Sequence, residues 1–552
     1  MASDVVQSVA AAEAARSRGG FPRVAVIGGG IAGLVAAWEL ARSGAEVQLF
    51  ERADRLGGRV CAGQLGGVHF DLGPESYATR GGEVERLLAD LGLAGRITAT
   101  SGGRSWVVSK GRAAPLPPAG AIGIPARPWG AEARRVIGVQ GALRCTIEPW
   151  LPRSIGKRES SLGGVVRARL GRRTLDRLVA PVVRGIYSAN PSALPISAVP
   201  GLAQTYVERG SLRAAAQKQR GSARASGAAV AGVRGGVHSV VAYLEQELER
   251  LGARIYRETE VAAVRAPKGA LFEPDGDSVD AAPHQFTRGF EVVVDGGRVH
   301  AVDAVLVTVP GILPVITSDR GHAAEPSKRA ASSSDEFVMS DEVSNAEARK
   351  GERVGGTTAG PADSSTWVEV IAILVEDERL NAAPRGTGAL VAEDARHATP
   401  PIAAKALTHA NIKWAWLAEQ LPMNTHLLRL SYGEHGADAV TLQMPDPAVE
   451  RLALADAGAI LGIDLPEAAL KGMARQTHEI PRAGSRPSAT PQRAADEPIG
   501  AAEQGLGPSL PRGIFATGEW VAGTGFAAVI PSARASARAL LATVAPAQPS
   551  HP

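Results

Sequence analysis

An α/β fold built on a Rossmann-like unit is predicted by three observations in residues 24–59, VAVIGGGIAGLVAAWELARSGAEVQLFERADRLGGR. Gly28, Gly30 and Gly33 stand at G-x-G-x-x-G spacing directly after the apolar run Val24 to Ile27. A helix-period run follows, with Ile31, Leu34, Val35 and Trp38 on one face. A second apolar run, Val47 to Phe50, ends in the acid Glu51. Strand, tight turn, helix, strand and terminal acid in that order form a dinucleotide-binding unit.

Each part has a physical task. Gly28 allows the turn out of the strand, Gly30 lets backbone approach a pyrophosphate, and Gly33 lets helix and strand pack closely. The helix N-terminus offers unpaired N–H groups to phosphate oxygens. Glu51 can accept hydrogen bonds from a ribose diol. The run continues as E-R-x-x-x-L-G-G-R through Arg52, Leu56, Gly57, Gly58 and Arg59. This segment resembles flavoproteins of the amine-oxidase superfamily, in which that turn passes along the FAD pyrophosphate. The resemblance favours FAD over NAD.

Further elements follow in order. Val84, Leu87, Leu88 and Leu91 have helical spacing. Residues 104–108 read as a strand, 115–128 as a proline-rich loop, and 130–180 as helical and basic, with Arg134, Arg135, Arg167, Arg169, Arg172 and Arg173. Residues 221–229 read as a loop. Residues 235–264 read as glycine turn, helix and strand, the helix burying Val237, Val240, Val241, Leu244 and Leu248. Val305 to Val309 is a buried-type strand, and 367–375 and 426–432 are strands. Residues 318–365 read as a disordered insertion, 268–283 as a smaller one, and 1–20 as a flexible tail. Residues 484–511 are rich in Pro, Ser and Gly, and the end is strand, turn and closing helix.

The bulk numbers exclude several classes. A chain of 552 residues exceeds one ordinary core. A net charge of +4 is too small to argue for nucleic acid, though arginine excess is compatible with an anionic membrane surface. Cys61 and Cys145 are the only cysteines, so no disulfide framework is available and a reducing, cytoplasmic setting is expected. The eleven histidines include no H-x-x-x-H pair, and no metal site is expected. The longest apolar run, Val305 to Ile316, is short and carries Pro310 and Pro314, so no membrane span is expected.

Four blocks, 24–59, FDLGPES (Phe70 to Ser76), 235–264 and TGEWVAGTGFAAVIPSA (Thr517 to Ala533), resemble the protoporphyrinogen/coproporphyrinogen oxidase family of flavoenzymes. Finer blocks carry this beyond the superfamily: SWVVSKGRAAPLPPAGAIGIP (105–125), VVRGIYSANPSALPISAVPGL (182–202) and AKALTHANIKWAWLA (404–418). The soluble, Gram-positive-type branch, which oxidises coproporphyrinogen III, is the most similar. The resemblance implies a Rossmann-like FAD-binding domain with an α+β substrate domain and a helical subdomain. The expected division is 21–95, 232–310 and 482–546 for FAD; 96–128, 175–231 and 311–481 for substrate; and 129–174 for the helical part.

The implied cofactor residues are Gly28, Gly29, Gly30, Ala32, Gly33, Glu51, Arg52, Gly57, Gly58 and Arg59 for the ADP half, with the backbone of Val261 at the adenine. Gly73, Pro74 and Glu75 would run beside the isoalloxazine, and Trp414 is a further candidate. Gly518 and Glu519 would reach the ribityl and pyrophosphate, and Gly525, Phe526 and Ala527 would cap the ring. Arg104 matches a position associated with propionate binding, and Arg184, Tyr187, Lys405 and Lys413 are looser substrate candidates. The family wall R-W-x-x-x-x-P-Q is replaced by RQTHEIPR, with Gln476 and Arg482 at the changed positions.

The implied reaction is six-electron oxidation of a porphyrinogen in three hydride transfers to flavin N5, with O2 as acceptor and H2O2 released. No dedicated acid–base residue is assigned. A haem-pathway ferrochelatase is the candidate partner. Coproporphyrinogen III and protoporphyrinogen IX both remain open as substrates. An amine oxidase, a carotenoid-type desaturase and a non-catalytic porphyrin-binding flavoprotein are the other readings.

Overall fold

The structure is a computed structural model that describes residues 21–110, 112–117, 122–199, 201–222, 230–267, 289–318, 366–434, 436–480, 510 and 513–544. The expected tail 1–20, both expected insertions apart from Ser318, most of 484–511 and Arg482 lie outside the described residues.

A five-stranded parallel sheet holds the glycine motif. Its order is Arg254–Tyr256, Glu46–Phe50, Arg23–Ile27, Ala304–Val307, Ile514–Ala516. The central strand is apolar without alternation because both of its faces are covered. Val24 and Val26 point into a core formed with the helices Ile31–Arg42, Ser239–Arg250 and Phe526–Val544. Ala25 and Ile27 point the other way, onto a four-stranded sheet that contributes Val264, Phe290 and Val292. Within 235–264 the expected residues Val237, Val240, Val241, Leu244 and Leu248 are buried, the helix itself running Ser239–Arg250. The strand after it is two strands in two sheets, Arg254–Tyr256 and Val261–Ala266, so Glu51 N bonds Tyr256 O and Thr259 N bonds Glu51 O between them.

A seven-stranded sheet forms the second body, in the order Leu470–Ile480, Thr366–Glu376, Thr425–Tyr432, Ala406–His409, Gly388–Val391, Ser105–Ser109, Arg112–Pro115. Its pairs are antiparallel except Gly388–Val391 with Ser105–Ser109. Period-2 alternation divides its faces. Ile371, Ile373, Leu428 and Leu430 pack under the helix Asp446–Leu461, while Ala372, Leu374 and Leu427 face Cys61, Phe70 and Leu72 next to the glycine-motif module.

The basic region 130–180 is helical, in several pieces. It breaks into Ala131–Ile147, Leu162–Leu170 and Ala180–Tyr187, with shorter turns between. Arg169, one of its arginines, is fully buried and pairs with the equally buried Glu148 at 2.7 Å. Its remaining N–H groups reach the carbonyls of Glu148, Pro152, Ile155 and Gly210. Glu148 also accepts from the backbone of Leu212 and Arg213. No described helix is long and apolar enough to cross a membrane.

Candidate flavin site

The carboxyl ends of the parallel strands converge on a crevice lined by glycine turns, the place where open α/β sheets take ligands. Gly28 leaves its strand at φ +104, and a Cβ there would lie 2.4 Å from the Thr308 hydroxyl. At Gly33 a Cβ would lie 1.9 Å from the Gly28 carbonyl, so the helix sits hard against the strand end. Gly30 is different: nothing lies within 4 Å of where its Cβ would be. The second glycine pair comes to it, with Gly57 N bonded to Gly29 O at 2.9 Å and Gly58 turning at φ +57. At the start of the closing helix, Gly525 (φ +95) is equally open. These turns form a cradle of bare backbone ahead of two helix N-termini. A flavin dinucleotide with an anionic pyrophosphate fits that donor set.

Glu51 accepts from Gly29 N at 2.7 Å through one oxygen and from Ala53 N at 2.9 Å through the other. It pins the glycine loop, and each oxygen keeps a lone pair for a ribose hydroxyl. Arg59 pairs with Glu519 across the crevice, while Arg52 turns outward toward Glu479 at 3.8 Å. Ala32 is buried in its helix. Phe526 also points inward, beside Tyr77 and Ile530, so only backbone is offered to a ligand at that helix start. Val261 opens its strand two residues after Thr259, whose N–H bonds the Glu51 carbonyl.

The segment Asp71 to Glu75 is fastened on several sides. Asp71 accepts from the backbone of Val237 and His238 and from the His238 ring. Leu72 O accepts from His478 Nε2 at 2.9 Å, and burial keeps that imidazole neutral by lowering its pKa. A Cβ on Gly73 would lie 1.8 Å from the Arg59 carbonyl. Gly73 O accepts from Arg429 Nη2 at 2.6 Å, and Pro74 is exposed. Glu75 receives Lys413 and Arg429, each at 2.6 Å. Burial alone would raise the Glu75 pKa, but the two cations, by charge and hydrogen bonding, hold it down to about 2.

The other expected site residues make the following contacts. The buried Arg184 is bound to Glu434 and, at 2.5 Å, to Glu393, so it has no free fork for a substrate carboxylate. Lys405 is 2% exposed and donates to Ser188 Oγ at 3.0 Å and Gly433 O at 2.6 Å. Lys413 is committed to Glu75. Trp414 is a core aromatic packed with Cys61, Phe70, Leu72 and Leu427, its ring against Gly232. Arg104 is exposed and holds Glu132 at 3.0 Å. Tyr187 is partly buried, which raises its phenol pKa against the charge of nearby Arg80.

Arg429, His478, Asp71 and Arg80 were not singled out from sequence. Arg429 left one signal, a lone arginine inside the apolar strand run THLLRLSY. Among the described residues the Gln476 side chain donates to its neighbour Thr477 O, and His478, two residues along the same face, makes the contact that reaches the site.

Burial pushes the Lys405 pKa down from 10.5 to about 7, with Glu434 partly opposing. Between those values the unfolded chain holds a proton that the folded chain has lost, so stability rises with pH across that window. Lys405→Met should lack this rise. Wild type should gain about 3 kcal/mol on the variant between about pH 7 and pH 10 in denaturant titrations. Parallel pH profiles would show that the amine is ordinary.

Residues 31–316 match the family model for flavin containing amine oxidoreductase. The chain belongs to that family. As a flavin containing amine oxidoreductase, it has FAD as its cofactor. The coproporphyrinogen III oxidase of Propionibacterium freudenreichii subsp. freudenreichii is 32% identical over 32% of this chain and 33% of its own. That of Mycobacterium leprae is 26% identical over 79% of this chain and 83% of its own. The chain spans only a third to a half of the first curated relatives it matches. The solved "Putative protoporphyrinogen oxidase" of Exiguobacterium sp. 255-15 superposes with a TM-score of 0.66 at 21% identity, covering 95% of this chain and 98% of that one. At that identity the likeness is one of fold. Among the described residues, no group of three His, Cys, Asp or Glu could hold a metal ion.

Proposed function

We propose that this flavin containing amine oxidoreductase oxidises coproporphyrinogen III to coproporphyrin III, with O2 as acceptor and H2O2 as by-product. The observation that carries the reading is the group of curated relatives named coproporphyrinogen III oxidases, one of them matched over most of both chains. FAD supplies the two-electron acceptor. The open backbone at Gly30 and Gly525, with Gly58 turned against Gly30, would receive its phosphates and ring edge, Glu51 its ribose, and Arg59 with Glu519 its pyrophosphate and ribityl stretch. The parallel-sheet module, with 21–95, 232–310 and 482–546, carries the cofactor. The seven-stranded sheet and the helices of 129–174 wall off the substrate and exclude water.

Arg104 is the substrate cation with an accessible guanidinium. It already grips a carboxylate, that of Glu132, and a propionate can take that place. The product is ready for metal insertion, the task of a ferrochelatase, in the cytoplasm or at the membrane surface.

One observation favours a second reading. Of the four candidate cations, Arg184, Lys405 and Lys413 are committed elsewhere and Arg104 alone keeps an exposed guanidinium, fewer than four propionates would engage, which suits protoporphyrinogen IX with two. Aerobic turnover of both substrates, read by porphyrin fluorescence with H2O2 in parallel, decides between them. A preference for coproporphyrinogen III supports the proposal, and a preference for protoporphyrinogen IX replaces it. In the same assay Arg104→Ala should raise KM about tenfold or more, with kcat and bound FAD little changed. An unchanged KM removes the propionate role.

A further inference from the structure

Two cations from the substrate-side body meet one carboxylate behind the Gly73–Pro74 turn. Lys413 lies 338 residues from Glu75 in sequence and Arg429 lies 356 from Gly73. All three charged side chains are largely withdrawn from water, at 17% for Lys413, 8% for Arg429 and 12% for Glu75. Arg429 divides its fork, one nitrogen on the Glu75 carboxylate and the other on the Gly73 carbonyl. The Arg429 Nε is buried with no hydrogen-bond partner among the described residues. Lys413 also lies 5.1 Å from the centre of the Trp414 ring. Of the neighbouring charges, Arg59 is paired with Glu519, and Asp71 is offset by Arg55, whose charge acts on Cys61 together with those of Arg429 and Asp71. One positive charge is therefore left in excess at this turn, in a region where water screens it weakly.

We propose that Lys413 and Arg429 are positioning residues for the flavin. Together they fix the Gly73–Pro74 turn through Glu75, and their excess charge favours the negative charge the cofactor gains on taking up electrons. The inference rests on FAD lying along Gly73–Pro74 and is independent of the substrate. Lys413 is thus a partner of the flavin loop instead of a propionate ligand. Its role is electrostatic as well as structural, because the sign of the local charge, and not only the shape of the turn, acts on the cofactor.

The test uses purified FAD-loaded protein without porphyrinogen. Sulfite, an anion that adds to oxidised flavin, is titrated by loss of flavin absorbance, and the flavin midpoint potential is measured beside it. Lys413→Met should weaken sulfite binding by about tenfold and lower the potential. Glu75→Gln should do the opposite, and Lys413→Arg should restore wild-type values. Lys471→Met, which removes a surface cation paired with Glu376, should change neither reading. If Lys413→Met sheds its flavin, Glu75→Gln decides alone by the direction of its change. The proposal is overturned by changes in the same direction for Lys413→Met and Glu75→Gln, or by none in either. Failure of the porphyrinogen assay would leave these readings intact, so the two conclusions fall separately.

Discussion

Gly30→Ala should fold as well as wild type and lose FAD. The backbone at Gly30 lies at φ −68, ψ 176, which alanine adopts freely, and no atom of the described chain stands within 4 Å of the added methyl. The methyl would project into open space at the end of the strand, where the backbone of this motif meets a dinucleotide pyrophosphate. FAD affinity should fall at least about tenfold, with the apoprotein melting temperature within about 1 °C of wild type. Gly33→Ala is the contrast. Its methyl would lie 1.9 Å from the Gly28 carbonyl, between a helix and the strand it packs on, so cofactor and stability should be lost together. Flavin absorbance after gel filtration, with thermal melts of the stripped proteins, separates the cases. A Gly30→Ala protein that retains its full yellow colour would remove the pyrophosphate from this loop.

Loss of either partner in the Glu148–Arg169 pair should cost about 3–5 kcal/mol, because the survivor is left charged and fully buried. Glu148→Gln and Arg169→Met should each shift the denaturant midpoint strongly. The double variant Glu148→Leu/Arg169→Met should be less destabilised than the sum of the two single changes, since no unpaired charge remains. Additive losses would show that the two side chains act independently. The helices from 131 to 222 pack around this pair, so its loss should loosen that layer ahead of the parallel sheet.

The difference between what was and was not readable follows from distance along the chain. The glycine unit is local: strand, turn, helix and acid fall within 28 residues, from Val24 to Glu51, and each leaves a periodicity or spacing. The strands around 367–375 and 426–432 were legible for the same reason. Side-chain partners were not. Arg184 finds Glu434 from 250 residues away, and Lys413 finds Glu75 from farther still. A lysine or arginine in a sequence looks equally suited to a substrate carboxylate and to a buried glutamate, and only the packing of distant strands decides. Trp414 shows the same limit, since an aromatic beside a cofactor motif and an aromatic in a core have one spelling.

The outermost strand of the parallel sheet, Ile514–Ala516, pairs with Ala304–Val307, and the helix that closes the crevice follows it at Phe526–Val544. During synthesis the first four strands of that sheet emerge with one edge bare and the Leu34–Leu244 core lacking a wall. Non-local pairing of this kind is slow, and an exposed parallel edge invites aggregation. Cofactor capture then marks a chain whose last segment has docked, so flavin content at harvest reports completed folding, and the unfinished chain is the species that chaperones must shield.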